Sequence, residues 1–109
     1  MANVFNNQLT ADVGTTPAVV YTTDSVTKAT VIGINISNNT TGTVTADIIL
    51  EKGATQINIV KGARIPAGTA LAAMGGDQKL VITESSTLYV QTDTATSSDV
   101  AVSVLEITI

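Results

Sequence analysis

The acids are the first residues to test for chemistry, because histidine and cysteine are both absent from the 109-residue chain. Without imidazole the commonest general base and metal ligand is missing, and without a thiol so is a common nucleophile. Catalytic triads and zinc-dependent hydrolysis are excluded on these grounds. Asp47 and Glu51 remain as an acid pair with regular spacing. Four residues apart on a strand, their side chains are separated by about 13 Å, too far for cooperating carboxylates unless another strand intervenes. They read as solvated acids on an outer face. The run Thr92 to Asp99 offers several oxygen ligands, but it lacks the acid density and the glycine of a calcium loop and reads as a polar loop. Gly75-Gly76 is followed by Asp77 and an expected strand, where an anion site would need a helix N-terminus, so it reads as a turn. Asn35, Asn38 and Asn39 each begin an Asn-x-Ser/Thr sequon, a pattern that a chain rich in Asn and Thr produces by chance. No cofactor follows from any of these groups, and an enzyme is the last reading to adopt.

Binding chemistry is narrowed in the same way. Net charge is −4, and Lys28, Lys52, Lys61, Arg64 and Lys79 are scattered singly, so a nucleic acid finds no basic stripe. Phe5, Tyr21 and Tyr89 are the only aromatics, which is thin for the ring platform of a glycan-binding sandwich. Both tyrosines read as strand packing. The longest apolar runs span only a few residues, far short of the roughly 20 that a membrane helix needs. Residues 1–10 lack the basic start and apolar stretch of a signal peptide, and the protein is expected to be soluble. Only 13% of residues are charged while 44% are hydrophobic, so part of the surface is expected to be covered in use.

The elements that must position these residues are strands. Thr, Val and Ile supply 43 of the 109 residues, and all three stiffen at the β-carbon and favour the pleated strand. No window carries a helical apolar stripe between caps. Pro17 introduces a strand at Ala18 to Thr22. Ile32, Ile34 and Ile36 alternate with polar residues and glycine over Ala29 to Asn38, and Val44, Ala46, Ile48 and Leu50 do so over Thr43 to Glu51. The Asn38 to Gly42 turn suggests that these two pair as a hairpin with a longer loop. Gly53-Ala54 turns the chain again into Gln56 to Val60. The segment RIPAG suits a crossing between sheets, and Ala67 to Met74 reads as a short strand rather than helix because Gly68 and Gly75-Gly76 bracket it. Gln78 to Thr83 and a strand carrying Leu88 and Val90 are expected to form a tight hairpin through Glu84-Ser85-Ser86. From Asp99 to Ile109, Val100, Val102 and Val104 lie on one side and Ala101, Ser103, Leu105 and Ile107 on the other, so both faces are expected to be partly covered. The sum is an all-β, antiparallel sandwich or barrel-like sandwich of seven to eight strands with almost no helix.

From Ile59 to the C-terminus the order of these strands and turns resembles small virion proteins of tailed bacteriophages. Lys61-Gly62, then Ile65-Pro66-Ala67-Gly68, lead to Leu71; Lys79-Leu80 opens a strand, and Asp99, Val100, Val102, Ser103, Leu105 and Glu106 close the pattern. Asp12 to Thr22 and Ile32 to Leu50 fit it as well, whereas Glu84-Ser85-Ser86 departs from the glycine and acid often found at that turn. The resemblance implies a β-sandwich virion component, most plausibly a capsid decoration or cement subunit. Its expected partners are copies of itself, for which trimers would suit a capsid lattice, and the major capsid protein or other virion proteins. No nucleic acid and no membrane are expected as partners. Its place would be the virion, assembled in the host cytoplasm. A neck, tail or baseplate component is the alternative within that class, and a receptor- or glycan-binding appendage the alternative outside it. Residues 1–14 are expected as an N-terminal arm or an edge strand, with 15–109 as one sandwich domain. Val4, Phe5 and Leu9 in that arm are the candidate inter-subunit contacts.

Overall fold

The structure, a computed structural model, describes residues 2–74 and 79–108. Stiff β-branched side chains extend the chain into nine strands, and no helix is present among the described residues. In chain order the strands are β1 (Ala2–Val13), β2 (Ala18–Thr22), β3 (Thr27–Asn38), β4 (Val44–Lys52), β5 (Thr55–Ile65), β6 (Ala70–Met74), β7 (Leu80–Ile82), β8 (Ser86–Thr92) and β9 (Ser98–Thr108).

Every pairing is antiparallel. One sheet runs β1-β9-β3 and continues into β6 and β7, which both pair with β3; the other runs β2-β8-β4-β5. β7 takes Ala29 to Val31 of β3 and β6 takes Ile34 to Ser37, so two short strands fill one lane. With that lane counted once, the chain is a long ribbon: β4 pairs β5, β3 pairs β6 and β7, β2 pairs β8, and β1 pairs β9. The ribbon is rolled so that β9 lies beside β3 and β8 beside β4. That connectivity is the double-sheet jelly roll.

The core lies between the sheets and follows from period-two alternation. Val100, Val102 and Val104 of β9 and Ala29, Val31, Ile34 and Ile36 of β3 face Leu88 and Val90 of β8, Ala46 and Ile48 of β4, and Val20 and Tyr21 of β2. Ile65 at the end of β5 and Ile82 of β7 close its sides. The alternation breaks once in β3. A register shift between Val31 and Gly33 inserts Ile32 as an extra residue, so Ile34 and Ile36 point inward while Ile32 is thrown onto the outer face.

Two expected hairpins are absent. β3 and β4 are consecutive but lie in different sheets, as do β7 and β8. Turn-forming residues at 38–42 and 84–86 carry the chain across the sandwich instead of back along the same sheet. The hairpin at Gly53 is formed between β4 and β5, the RIPAG segment carries the chain from one sheet to the other, and residues 70–74 are a strand. The expected turn at Gly75-Gly76-Asp77 lies outside the described residues.

One buried amide secures the crossings. Asn38 is 2% exposed; its Nδ2 donates to the carbonyls of Gly42 (2.8 Å) and Ile65 (2.7 Å), while Oδ1 accepts from the Thr40 amide and hydroxyl. Its own amide donates to the Thr69 carbonyl. It thereby ties the β3–β4 crossing to the point where β5 leaves its sheet. Removing the side chain takes a donor from the Ile65 and Gly42 carbonyls, of which Gly42 keeps the Thr40 hydroxyl, and an acceptor from the Thr40 amide, each a loss on the order of 1 kcal/mol. Asn38→Ala is expected to destabilise the fold by about 3 kcal/mol and to lower the melting temperature by more than about 10 °C in a thermal scan, with Asn38→Asp also failing because it cannot donate.

Candidate docking face

The outer face of the β1-β9-β3 sheet is built by register. Because β1 residues pair directly with β9 and β9 with β3, side chains fall into cross-strand rows. Phe5, Leu105, Thr30 and Val81 form one row, and Leu9, Ala101, Asn35 and Ala72 another; Asn7, Ser103 and Gly33 lie between them. The bulge adds Ile32 beside the gap that Gly33 leaves. Phe5 is 76% exposed, Leu9 72%, Val81 60% and Ile32 39%. Two shallow grooves cross this surface, one lined by Phe5, Asn7, Ile32 and Ser103, the other by Leu9, Asn35, Asp99 and Ala101. Exposed Lys28, opposite Ile107, marks one end of the face and exposed Asp99, opposite Ser37, the other. Exposed apolar side chains thus lie on both sides of a polar middle row, with a charged residue at each end of the face.

Of the three residues expected from sequence, Phe5 and Leu9 meet on this face. Val4 does not join them; it pairs with Glu106 and points to the opposite side of the sheet, half exposed at the end of the sandwich. The alternation in β9 already marked Ala101, Leu105 and Ile107 as a second side. Ile32 and Val81 were not legible as surface residues, because a bulge and a cross-sheet pairing leave no local pattern.

Glu106 fixes β1 against both sheets. From β9 its carboxylate accepts from Asn6 Nδ2 of β1 at 3.2 Å and from the Tyr21 hydroxyl of β2 at 2.5 Å. Burial holds the Tyr21 phenol protonated far above the ordinary tyrosine range, and the hydrogen bond to Glu106 adds to that.

The other acids act as fasteners. Asp47 accepts from the Gly62 amide at 2.7 Å and forms an ion pair with Lys61, locking a bulge of β5 where Gly62 has φ +68°. Glu51 accepts from the Tyr89 hydroxyl at 3.2 Å, which pushes that phenol upward too. The two acids are not brought together. In the 92–99 loop, Asp93 accepts from the Thr45 amide, which draws its carboxyl below the usual range, and Asp99 accepts from the Asp12 amide. The Ser97 hydroxyl bonds those of Thr92 and Ser98 and reaches the Val13 carbonyl. Gly14 meets this loop so closely that a Cβ would lie 2.9 Å from the Thr96 amide nitrogen. Among the described residues no three His, Cys, Asp or Glu side chains group as metal ligands.

No protein-family model and no curated protein sequence matches the chain. Among solved structures, it superposes on a chain of the Bacillus endospore appendages, which form a family of disulfide-linked pili, with a TM-score of 0.59 and 14% identity over 98% of this chain and 88% of that one. It also superposes on a chain of the infectious bursal disease virus Gt strain with a TM-score of 0.50 and 12% identity. That match takes in 100% of this chain and 31% of the viral one, so it spans under a third of the viral chain. At such identities the likeness is one of fold and does not single out phage decoration proteins.

The Tyr21 arrangement gives a signed pH dependence. Below the ordinary tyrosine pKa of about 10 both folded and unfolded chains keep the proton; above it the unfolded chain releases the proton first, so unfolding is favoured. Stability is expected to fall as pH rises above about 10, in denaturant melts, and Tyr21→Phe is expected to flatten that decline while lowering stability at neutral pH by about 1 kcal/mol.

The chain is thus a small jelly-roll sandwich, similar in fold to a chain of a disulfide-linked pilus and to part of a chain from a virus structure.

Proposed function

We propose that the chain is a structural subunit of a bacteriophage virion, a decoration or cement protein that docks on the capsid through the outer face of β1-β9-β3. The observation that carries this reading is the row of large apolar side chains left in water there: Phe5, Leu9, Ile32 and Val81. A free monomer gains nothing from that exposure, whereas a surface covered on assembly gains about 2 kcal/mol for a phenylalanine alone. Repetition over a symmetric shell multiplies modest contacts, so no reactive group is needed. The strand-and-turn order shared with tailed-phage virion proteins supports the same reading, as does a fold used by viral capsids.

A second reading, a subunit of a surface fibre, is favoured by the nearly end-to-end match to the pilus chain. With no cysteine in the sequence, such a fibre would be held by non-covalent contacts alone.

Particles purified from the source and imaged with this protein labelled decide between them. Label over the capsid surface is expected, and the double variant Phe5→Ser with Leu9→Ser is expected to bind stripped particles at least tenfold more weakly with an unchanged circular dichroism spectrum. Label confined to the tail, or filaments formed by the purified protein alone, would overturn the capsid reading.

A further inference from the structure

Four lanes of this sandwich are sheet edges, and three of them are guarded. Exposed edges invite strand addition unless they are short, bent, charged or interrupted by proline. β7 has three residues and β6 five. β2 has five, follows Pro17 and carries a register shift. β5 is long, but it bears Lys61 and Arg64, and its register with β4 shifts twice. Over Ala2 to Thr10, β1 has none of these devices: it pairs with β9 without a shift and contains neither a proline nor a charged residue, and Asp12 and the one irregularity come only after Thr10.

The orientation of the free edge can be read from one bond. The Asn7 amide donates to Asn6 Oδ1 at 2.9 Å, so it points away from β9. In an antiparallel ladder alternate residues turn both backbone groups to the same side. Asn3, Phe5, Asn7 and Leu9 therefore present their backbone groups outward.

We propose that β1 is an interface for a second copy of this chain, paired antiparallel to itself with Asn7 on the two-fold axis. The strand is self-complementary in that register. Phe5 falls opposite Leu9 of the second copy, and Leu9 opposite its Phe5, so both apolar residues of the outer face are matched. On the other side Val4 falls opposite Thr10 and Asn6 opposite Gln8. Displacing Phe5 onto Asn7, as the neighbouring hydrogen-bonding register would, leaves Leu9 against Asn3. Each chain has a net charge of −4, and the segment along which two copies would meet, Ala2 to Thr10, carries no charged residue and so adds no local repulsion. Pairing requires Asn6 to give up the Asn7 amide, which the second copy's backbone then takes. A two-fold axis normal to the sheet sets the two outer faces side by side, facing the same way.

The interface goes beyond the capsid reading and is tested without particles, so either can fail alone. In sedimentation at micromolar concentration the wild-type chain is expected to be a dimer. Asn7→Lys, which sets two like charges on the axis, is expected to weaken it at least tenfold with an unchanged circular dichroism spectrum, since Asn7 is exposed. Asn7→Cys introduces the only thiol, and the hydrogen-bonded pair separation of about 5.5 Å is within disulfide reach, so mild oxidation should yield a covalent dimer. Asn3→Cys, which faces Ala11 in this register, should not. A wild-type monomer at every concentration, an oligomer that Asn7→Lys leaves intact, or equal cross-linking through position 3 would overturn the proposal.

Discussion

The pairing of β9 with β3 is the constraint on which the molecule rests. It brings Val100, Val102 and Val104 beside Ile36, Ile34 and Val31, and those six side chains form one wall of the core. The opposite wall depends on the equivalent pairing of β8 with β4, which aligns Val90 and Leu88 with Ile48 and Leu50. Neither contact is local in sequence. Both must form before burial can offset the chain entropy lost in closing such long loops. No disulfide or resident aromatic cluster shares that burden, because the chain has no cysteine and its one fully packed ring is Tyr21. β-Branched side chains, rigid before folding and fitted to a pleated surface, keep the entropic loss small.

Much of this was legible in the sequence wherever the information was local. Alternation located β3, β4, β8 and β9, the glycine turn at 53 located the β4–β5 hairpin, and Pro66 marked a crossing that does occur. What could not be read was which strand each run would meet. Asn38 to Gly42 and Glu84 to Ser86 carry the same residue types whether a chain doubles back or crosses to the facing sheet, so in sequence both read as hairpins. Ile32 illustrates a subtler limit. One inserted residue reverses the facing of the isoleucine that precedes it, and the run reads as unbroken alternation either way. The apolar face was visible only in fragments, as Phe5, Leu9 and the second side of β9, because the register that joins them spans most of the chain.

The polar residues follow a related logic. Sparse acids that suggested chemistry at first are spent on backbone amides at bulges and crossings, as with Asp47 on Gly62, Asp93 on Thr45 and Asp99 on Asp12. These are the places where a ladder leaves donors without a strand partner. Asn38, which the sequence shows as a sequon and as the start of a turn, holds four side-chain hydrogen bonds at the sheet crossing.

The place of β9 between β1 and β3 also sets an order of assembly. During synthesis β1 and β3 emerge well before the strand that must lie between them, Ser98–Thr108, which follows the other eight described strands in the chain. Until then the four-stranded β2-β8-β4-β5 sheet has nothing to close against, and β1 is a loose apolar-flecked segment. A nascent chain of this design cannot fold its first half while the second is being made. Rapid completion of translation, or an escort for the unfinished half, protects it from premature strand exchange with its neighbours on the polysome.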